Sequence, residues 1–212
     1  MAEVDAAQWD ACANPPADSS HEAPDSGHTD PDSLLQALES GCEPVESKSQ
    51  VERFNPFISY SFLNALETSG SATSKTGWTP LHVLVEDQAG RLQACAPCYA
   101  KTHSMGEYVF DHAWADAYER AGGRYYPKLQ VCVPFTPVPG RRLLVRPGPD
   151  SSKARAYLIG GLRALREKTN ASSLHITFPN KADCDDLAGA GMLTRTNKQF
   201  HFFNEGYKTF ED

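Results

Sequence analysis

The feature that most constrains this chain is a pair of short apolar runs joined by turn residues. Leu81, Val83 and Val85 alternate with other residues, which is the period of a strand with one buried face. Asp87-Gln-Ala-Gly90 is turn chemistry, and the run from Leu92 to Tyr99 supplies a returning strand. This β-hairpin commits the chain to a sheet, and the other elements have to be arranged around it.

The flanking segments alternate in type. Pro56 through Gly70 reads as a helix: Ser59 or Ser61 can cap it, Phe62, Leu63 and Leu66 share a face, and Gly70 can end it. After the hairpin, Asp111 can cap a helix whose Trp114, Ala117, Tyr118 and Ala121 recur at helical spacing and predict its buried face, with Gly122 and Gly123 as terminators. Leu129 to Phe135 then reads as a strand, although Pro134, Pro137 and Pro139 prevent full ladder pairing at its end. Val138 to Ser152 reads as loop, interrupted by Leu143-Leu-Val145. A helix follows, capped by Ser151 or Ser152, with Tyr157, Leu158, Gly161, Leu162 and Leu165 as its apolar stripe. Ser173 to Phe178 reads as a strand, Asn180 caps a helix through Leu187, and Met192 to Phe203 reads as a last strand with His201 opposite Phe200 and Phe202. The order predicts an α/β (α+β) domain in which helices flank a mixed sheet.

Charge divides the chain. Residues 1–50 hold eleven acids and one base, Lys48, so the remaining residues carry a net charge of +3 although the whole chain carries −7. Rich also in Pro, Ser and Ala, residues 1–52 read as an acidic disordered tail, with too little apolar surface to offset the entropy of ordering. Residues 53–212 read as the folded lobe. The tail lacks the basic start and apolar run of a secretory signal, and no stretch reaches the roughly 18 apolar residues of a membrane span. A body charge of +3 gives little of the footprint of a nucleic-acid binder. The six cysteines form no disulfide framework, which predicts reduced thiols in an intracellular, cytoplasmic setting. Cys95-Ala-Pro-Cys98 sits inside a strand-like run, and no second such motif completes a zinc site, so it predicts no metal and no redox centre.

Polar residues gather in two places. Arg141, Arg142, Arg146 and Lys153, with Gly140, precede or open the helix that begins near Ser152; a helix start beside basic residues can hold phosphate, and an ordinary solvated loop is the competing reading. Between Lys101 and Thr136, His103, Glu107, Tyr108, Asp111, Tyr125, Tyr126 and Lys128 are interleaved with aromatics and glycines rather than set on one polar face. His175, inside an apolar strand, reads as a hydrogen-bonded core histidine.

Several of these segments carry a resemblance. Asn55-Pro56, Gly77-Trp78-Thr-Pro80, His103-Ser-Met-Gly-Glu-Tyr-Val-Phe-Asp111, Trp114-Ala-Asp-Ala-Tyr118, Tyr125-Tyr-Pro-Lys-Leu129, Pro134-Phe-Thr-Pro-Val138 and Gln199-Phe-His201 with Asn204-Glu-Gly-Tyr207 resemble the FemAB-like branch, of peptidoglycan biosynthesis type, of the GNAT acyltransferase superfamily. The resemblance covers residues 54–212 and implies a GNAT-like fold, a second lobe that this chain lacks, and transfer of an acyl or aminoacyl group to an amine. It implies acyl-CoA or aminoacyl-tRNA as donor co-substrate, with no tightly bound cofactor and with tRNA as the only nucleic acid. The spaced-glycine pyrophosphate signature of the superfamily is missing here.

Amine acylation needs a proton acceptor and donors, for which Glu107, Asp111 and His103 are the base candidates, His103 and Glu107 first, and Tyr108, Tyr125 and Tyr126 the acid or donor candidates. Asp111, Tyr125 and Lys128 are expected to bind the acceptor, and Gly140, Arg141, Arg142, Arg146 and Lys153 the donor. The alternative is a non-catalytic docking lobe, exposing an apolar patch where a second lobe or a second copy would pack.

Overall fold

The computed structural model describes residues 1, 4–16, 54–109, 111–196, 204–209 and 211. Among the described residues, five helices and seven strands form a mixed α/β body: α1 Ala6–Ala13, α2 Tyr60–Thr68, α3 His112–Arg120, α4 Ser151–Lys168 and α5 Lys181–Gly189, with β1 Trp78–Pro80, β2 Val83–Glu86, β3 Leu92–Ala96, β4 Cys98–Lys101, β5 Lys128–Val131, β6 Leu144–Val145 and β7 Leu174–Ile176. The strands make two sheets, one in the order β1-β4-β5-β7 and one in the order β2-β3-β6.

The expected hairpin is present as β2 and β3, paired antiparallel with Leu84 opposite Cys95. Its returning run does not stay in one sheet. Pro97 has no backbone N–H to give a ladder, and the chain breaks there, so β3 remains with β2 while β4 crosses to pair with β1 and β5. The Cys95 and Cys98 thiols therefore belong to different sheets, both buried. β5 is shorter than its apolar pattern suggested, and Leu143-Leu-Val145 contributes β6 against β3. β7 lies parallel to β5.

Two helix starts follow the expected cap residues, whereas Ser151 and Ser152 lie inside the first turn of α4 and cap nothing, the position before it being Asp150, which makes no side-chain cap. Ser59 accepts from Phe62 N at the start of α2, after a 3₁₀ turn over Pro56–Ile58, and Asn180 accepts from Asp183 N at the start of α5. α4 packs Leu158, Ile159 and Leu162 against both sheets, and Gly161 allows this approach: a Cβ there would stand 3.0 Å from Val83 Cγ1. Tyr157, expected in its apolar stripe, is exposed instead.

Two expectations are corrected. The tail assigned to residues 1–52 begins with structure: α1 is capped by Asp5 and buries Trp9, Cys12 and Ala13 against α2, β3 and β6. Three apolar residues at i, i+3 and i+4 suffice for a short docking face, and the abundance of acids around them hid it. Trp9 Nε1 donates to Ile58 O at 2.9 Å, and Asn14 exchanges two hydrogen bonds with the Asn55 backbone, at 3.0 and 2.8 Å. Residues 17–53 lie outside the described residues.

The second correction concerns α3. Its predicted buried face is exposed, Trp114 at 66% and Tyr118 at 52%, and only Ala115 is buried. Helical spacing fixes which residues share a face but not whether another element covers it. Of the expected last strand, Met192–Thr196 is not strand, and 197–203, with His201, lies outside the described residues.

Asn14→Ala is expected to cost about 1–2 kcal/mol in urea unfolding, because both of its bonds to Asn55 go at once. No change in the transition midpoint would mean that α1 contributes nothing to the body.

Candidate functional site

Antiparallel pairing of β4 with β5 sets Lys101 directly opposite Lys128. Both side chains are fully buried. Two like charges facing each other across a ladder repel, and burial adds a desolvation cost, so such a pair needs counter-charge. The segment between β4 and α3 supplies it. Glu107 and Asp111, themselves buried, fold back over the strand ends.

Lys128 uses all three of its donors: Nζ lies 2.6 Å from Asp111 Oδ2, 2.7 Å from Glu107 Oε2 and 3.0 Å from Ser104 Oγ. Asp111 occupies the position before α3 but makes no side-chain cap there. Its Oδ2 is taken by Lys128 and by the Tyr125 hydroxyl, which donates at 2.7 Å. Burial pushes the Asp111 carboxyl up, but the hydrogen bonds from Lys128 and Tyr125, with the Ser104 hydroxyl nearby, outweigh it and hold the group well below the usual carboxylate range. Glu107 goes the other way: burial lifts it above its ordinary value against the pull of Lys128 and Lys101. Burial and the adjoining Asp111 carboxylate raise the Tyr125 phenol. Ser104 Oγ also meets the Tyr126 hydroxyl at 2.7 Å, which ties Tyr126 to the same network.

Lys101 is held differently. Its Nζ donates to Met105 O at 3.2 Å, stands 3.3 Å from the centroid of the Trp78 ring and lies 4.0 Å from Glu107 Oε1. Burial lowers this ammonium to about 8, against the opposing pull of Glu107. Lys101 can thus lose its proton near neutrality.

The box of two lysines and two carboxylates is electrically neutral, but its hydrogen bonding is incomplete. Glu107 Oε1 and Asp111 Oδ1 are buried and accept no hydrogen bond among the described residues. Such orphaned acceptors cost about 1–3 kcal/mol each and point to a group that would satisfy them. The loops over the box are conformationally loaded. Tyr108 and Phe135 both have φ of 59°, a left-handed backbone that costs a non-glycine residue of the order of 1–3 kcal/mol. Gly106, at φ 79°, lies so close to Phe135 that a Cβ would stand 2.7 Å from its ring. Phe135 in turn packs on Trp78, with ring centroids 5.3 Å apart.

The sequence-predicted residues therefore divide. Glu107, Asp111, Tyr125, Tyr126 and Lys128 come together. His103 does not join their hydrogen-bond network: its Nε2 lies 3.1 Å from Thr76 O and its Nδ1 accepts from Met105 N at 3.2 Å. Tyr108 is half exposed on the covering loop. Lys101 and Ser104 were missed. The available signal was a lysine at the end of one apolar run and another at the start of the next, but their pairing follows from register, which no local pattern reveals.

The residues expected to hold a donor are dispersed. Gly140 bridges to the segment after β7, donating to Phe178 O and accepting from Asn180 N. Arg142 is buried and donates to the carbonyls of Thr177, Arg141 and Val138 at 2.9, 3.0 and 2.7 Å, while its N–H donates to Asp183 Oδ2. That fan ties the loop from Val138 to β7 and α5. Arg146 donates to Leu92 O at 2.7 Å on another side of the body, beside a shallow groove of about 350 Å³ lined by Ala7, Gln8, Ala89, Gly90, Arg91 and Arg146. Lys153 lies 5.8 Å from the Tyr157 ring centroid on the exposed side of α4. His175, half buried on β7, packs edge-on to Tyr125, and burial pushes it down to about 4. It is neutral at pH 7.

Among the described residues no helix is long and apolar enough to cross a membrane, and no group of three or more His, Cys, Asp or Glu is placed to hold a metal. A family model, FemAB-like and described as peptidoglycan biosynthesis/recognition, matches residues 1–212. Searches of curated proteins and of solved structures each returned no match.

Proposed function

The chain belongs to the FemAB-like family, and from that premise we propose that the lysine–carboxylate box is the acceptor site of a GNAT-like transfer of an acyl or aminoacyl group to an amine. The observation that carries the reading is the pair of orphaned oxygens, Glu107 Oε1 and Asp111 Oδ1. An incoming ammonium has N–H donors for both. Lys101, once neutral, takes a proton from that ammonium and leaves an amine lone pair. The amine attacks the donor carbonyl, a C–N bond forms, and the C–S bond of an acyl-CoA or the ester C–O bond of an aminoacyl-tRNA breaks. The tetrahedral oxyanion needs a donor, and the Tyr126 hydroxyl, joined to Lys128 through Ser104, is the group at the edge of the box suited to it. The leaving sulfur or oxygen carries away the remaining proton.

A docking lobe without chemistry is the second reading, and a specific observation favours it. Lys101 and Lys128 are closed to solvent, while Met105, Tyr108, Trp114 and Tyr118 nearby in sequence are exposed. On that reading the loops over the box open only against another lobe.

The purified chain is incubated with labelled acyl-CoA or aminoacyl-tRNA and a panel of primary amines, and N-acylated product is measured. The expected result is turnover, reduced about five- to tenfold in Tyr126→Phe, the loss of one hydrogen bond to the transition state. Amine binding without turnover by either donor, restored only by a second lobe, would replace the first reading with the second.

A further inference from the structure

We propose that the groove between helix α1, the β2–β3 turn and the loop after β6 binds a small phosphomonoester, with Gln8, Arg91 and Arg146 holding its phosphate. The site is independent of the lysine–carboxylate box. It lies at the start of β3, in the sheet that does not carry Lys101 and Lys128. The groove has a volume of about 350 Å³ and is lined by Ala7, Gln8, Ala89, Gly90, Arg91 and Arg146.

One residue fixes two of its donors. Leu92 N donates to Gln8 Oε1 at 2.6 Å, and Leu92 O accepts from Arg146 Nε at 2.7 Å. A backbone N–H can meet only the oxygen of the Gln8 amide, so Gln8 Nε2 is left with both hydrogens uncommitted among the described residues. Arg146 likewise keeps its two terminal nitrogens. Both side chains are thus anchored by the backbone of Leu92 and bring spare donors to one groove. Arg91 adds a second guanidinium from the turn, and neither arginine makes an ion pair among the described residues.

No lining side chain offers a free acceptor, so the groove selects an anion. The acids that flank it in sequence are engaged elsewhere: Asp5 accepts from Gln8 N, Asp10 from Tyr60 N, and Asp87 from Ala89 N, Arg91 N and Gln93 Nε2. In a chain of net charge −7, two guanidiniums on one concave surface are a local reversal of sign. A phosphomonoester suits this set better than a carboxylate does. Its three terminal oxygens and up to two negative charges match two guanidiniums and an amide arriving from three segments. The volume exceeds that of a phosphate group and falls at the small end of ligand pockets, which leaves room for a short ester group along Ala7, Ala89 and Gly90.

Glycerol 3-phosphate and inorganic phosphate are titrated into the full chain by calorimetry at constant ionic strength, with glycerol and a dinucleotide phosphodiester as controls. The expected result is saturable one-to-one binding, tighter for glycerol 3-phosphate than for inorganic phosphate and absent for both controls. Arg91→Gln and Arg146→Gln are each expected to weaken it about tenfold or more, the worth of one charge-assisted hydrogen bond. Gln8→Glu is the sharper variant. Its carboxylate still accepts from Leu92 N, so α1 keeps that anchor, but the groove receives a negative charge in place of two donors, and binding is expected to fall below detection. Arg91 is exposed and its guanidinium holds no other part of the fold among the described residues, so Arg91→Gln decides even if the other variants fail to fold. No saturable binding by the parent, binding of inorganic phosphate alone, a diester bound as tightly as the monoester, or an affinity unchanged in Arg91→Gln would each overturn the proposal.

Discussion

Lys128→Met is expected to destabilise the protein by about 3–5 kcal/mol, read as a lower midpoint in urea unfolding at pH 7. Methionine matches the lysine stem in length, so little packing is lost. What goes is, among the described residues, the only group that satisfies Glu107 Oε2 and contacts Asp111 Oδ2 with positive charge. Two buried carboxylates would then share a site with Lys101 alone, 4.0 Å from Glu107 and engaged by Met105 O and Trp78. The cost belongs to the uncompensated charge rather than to the value of the salt bridge, and this distinction can be tested. Adding Asp111→Asn to Lys128→Met returns the box to neutrality, leaving Glu107 to face Lys101, and is expected to recover more than half of the loss. A Lys128→Met protein as stable as the parent would mean that the box is solvated and that its geometry carries no functional argument.

The same box shows where sequence reasoning reaches and where it stops. Alternation at Leu81, Val83 and Val85 revealed the hairpin, and Ser59 and Asn180 marked helix starts, because those signals lie within one element. Asp111 also looked like a cap. Its position was right and its role was not, since the carboxylate turns to Lys128 and Tyr125 from elsewhere in the chain. Lys101 was invisible for a related reason: as the last residue of an apolar strand it looks like a solvated end, and only the register with β5 places it against Lys128. The buried Arg142 fan was hidden likewise, its carbonyl partners being set by the path of the loop over β7. Local periodicity carries elements, whereas a site assembled from strand register and loop return is a tertiary fact.

If Lys101 is the base of the proposed transfer, kcat is expected to rise about tenfold per pH unit below pH 8 and to level off above it, because only the neutral amine can accept a proton and its pKa is about 8. Lys101→Met is expected to lower the plateau by about 10²–10⁴, the usual worth of a positioned proton acceptor, and to remove the limb. Lys101→Arg keeps the charge but cannot deprotonate, so it should fail in the same way if proton transfer is the role and retain activity if the charge alone matters. Stability supplies an independent check with a definite sign. The folded-state pKa lies below the ordinary lysine value of 10.5, so between about 8 and 10.5 the unfolded chain binds the extra proton and this residue makes the protein more stable as pH rises. Cys98 and Cys132, whose thiols burial pushes up, oppose that trend above pH 9. The quantity to measure is therefore the difference in unfolding free energy between the parent and Lys101→Met, in which those thiols cancel. That difference should move in favour of the parent by up to about 1.4 kcal/mol per pH unit across the window. A flat difference would show that Lys101 titrates near its ordinary value, and with it the assignment of the base would fall.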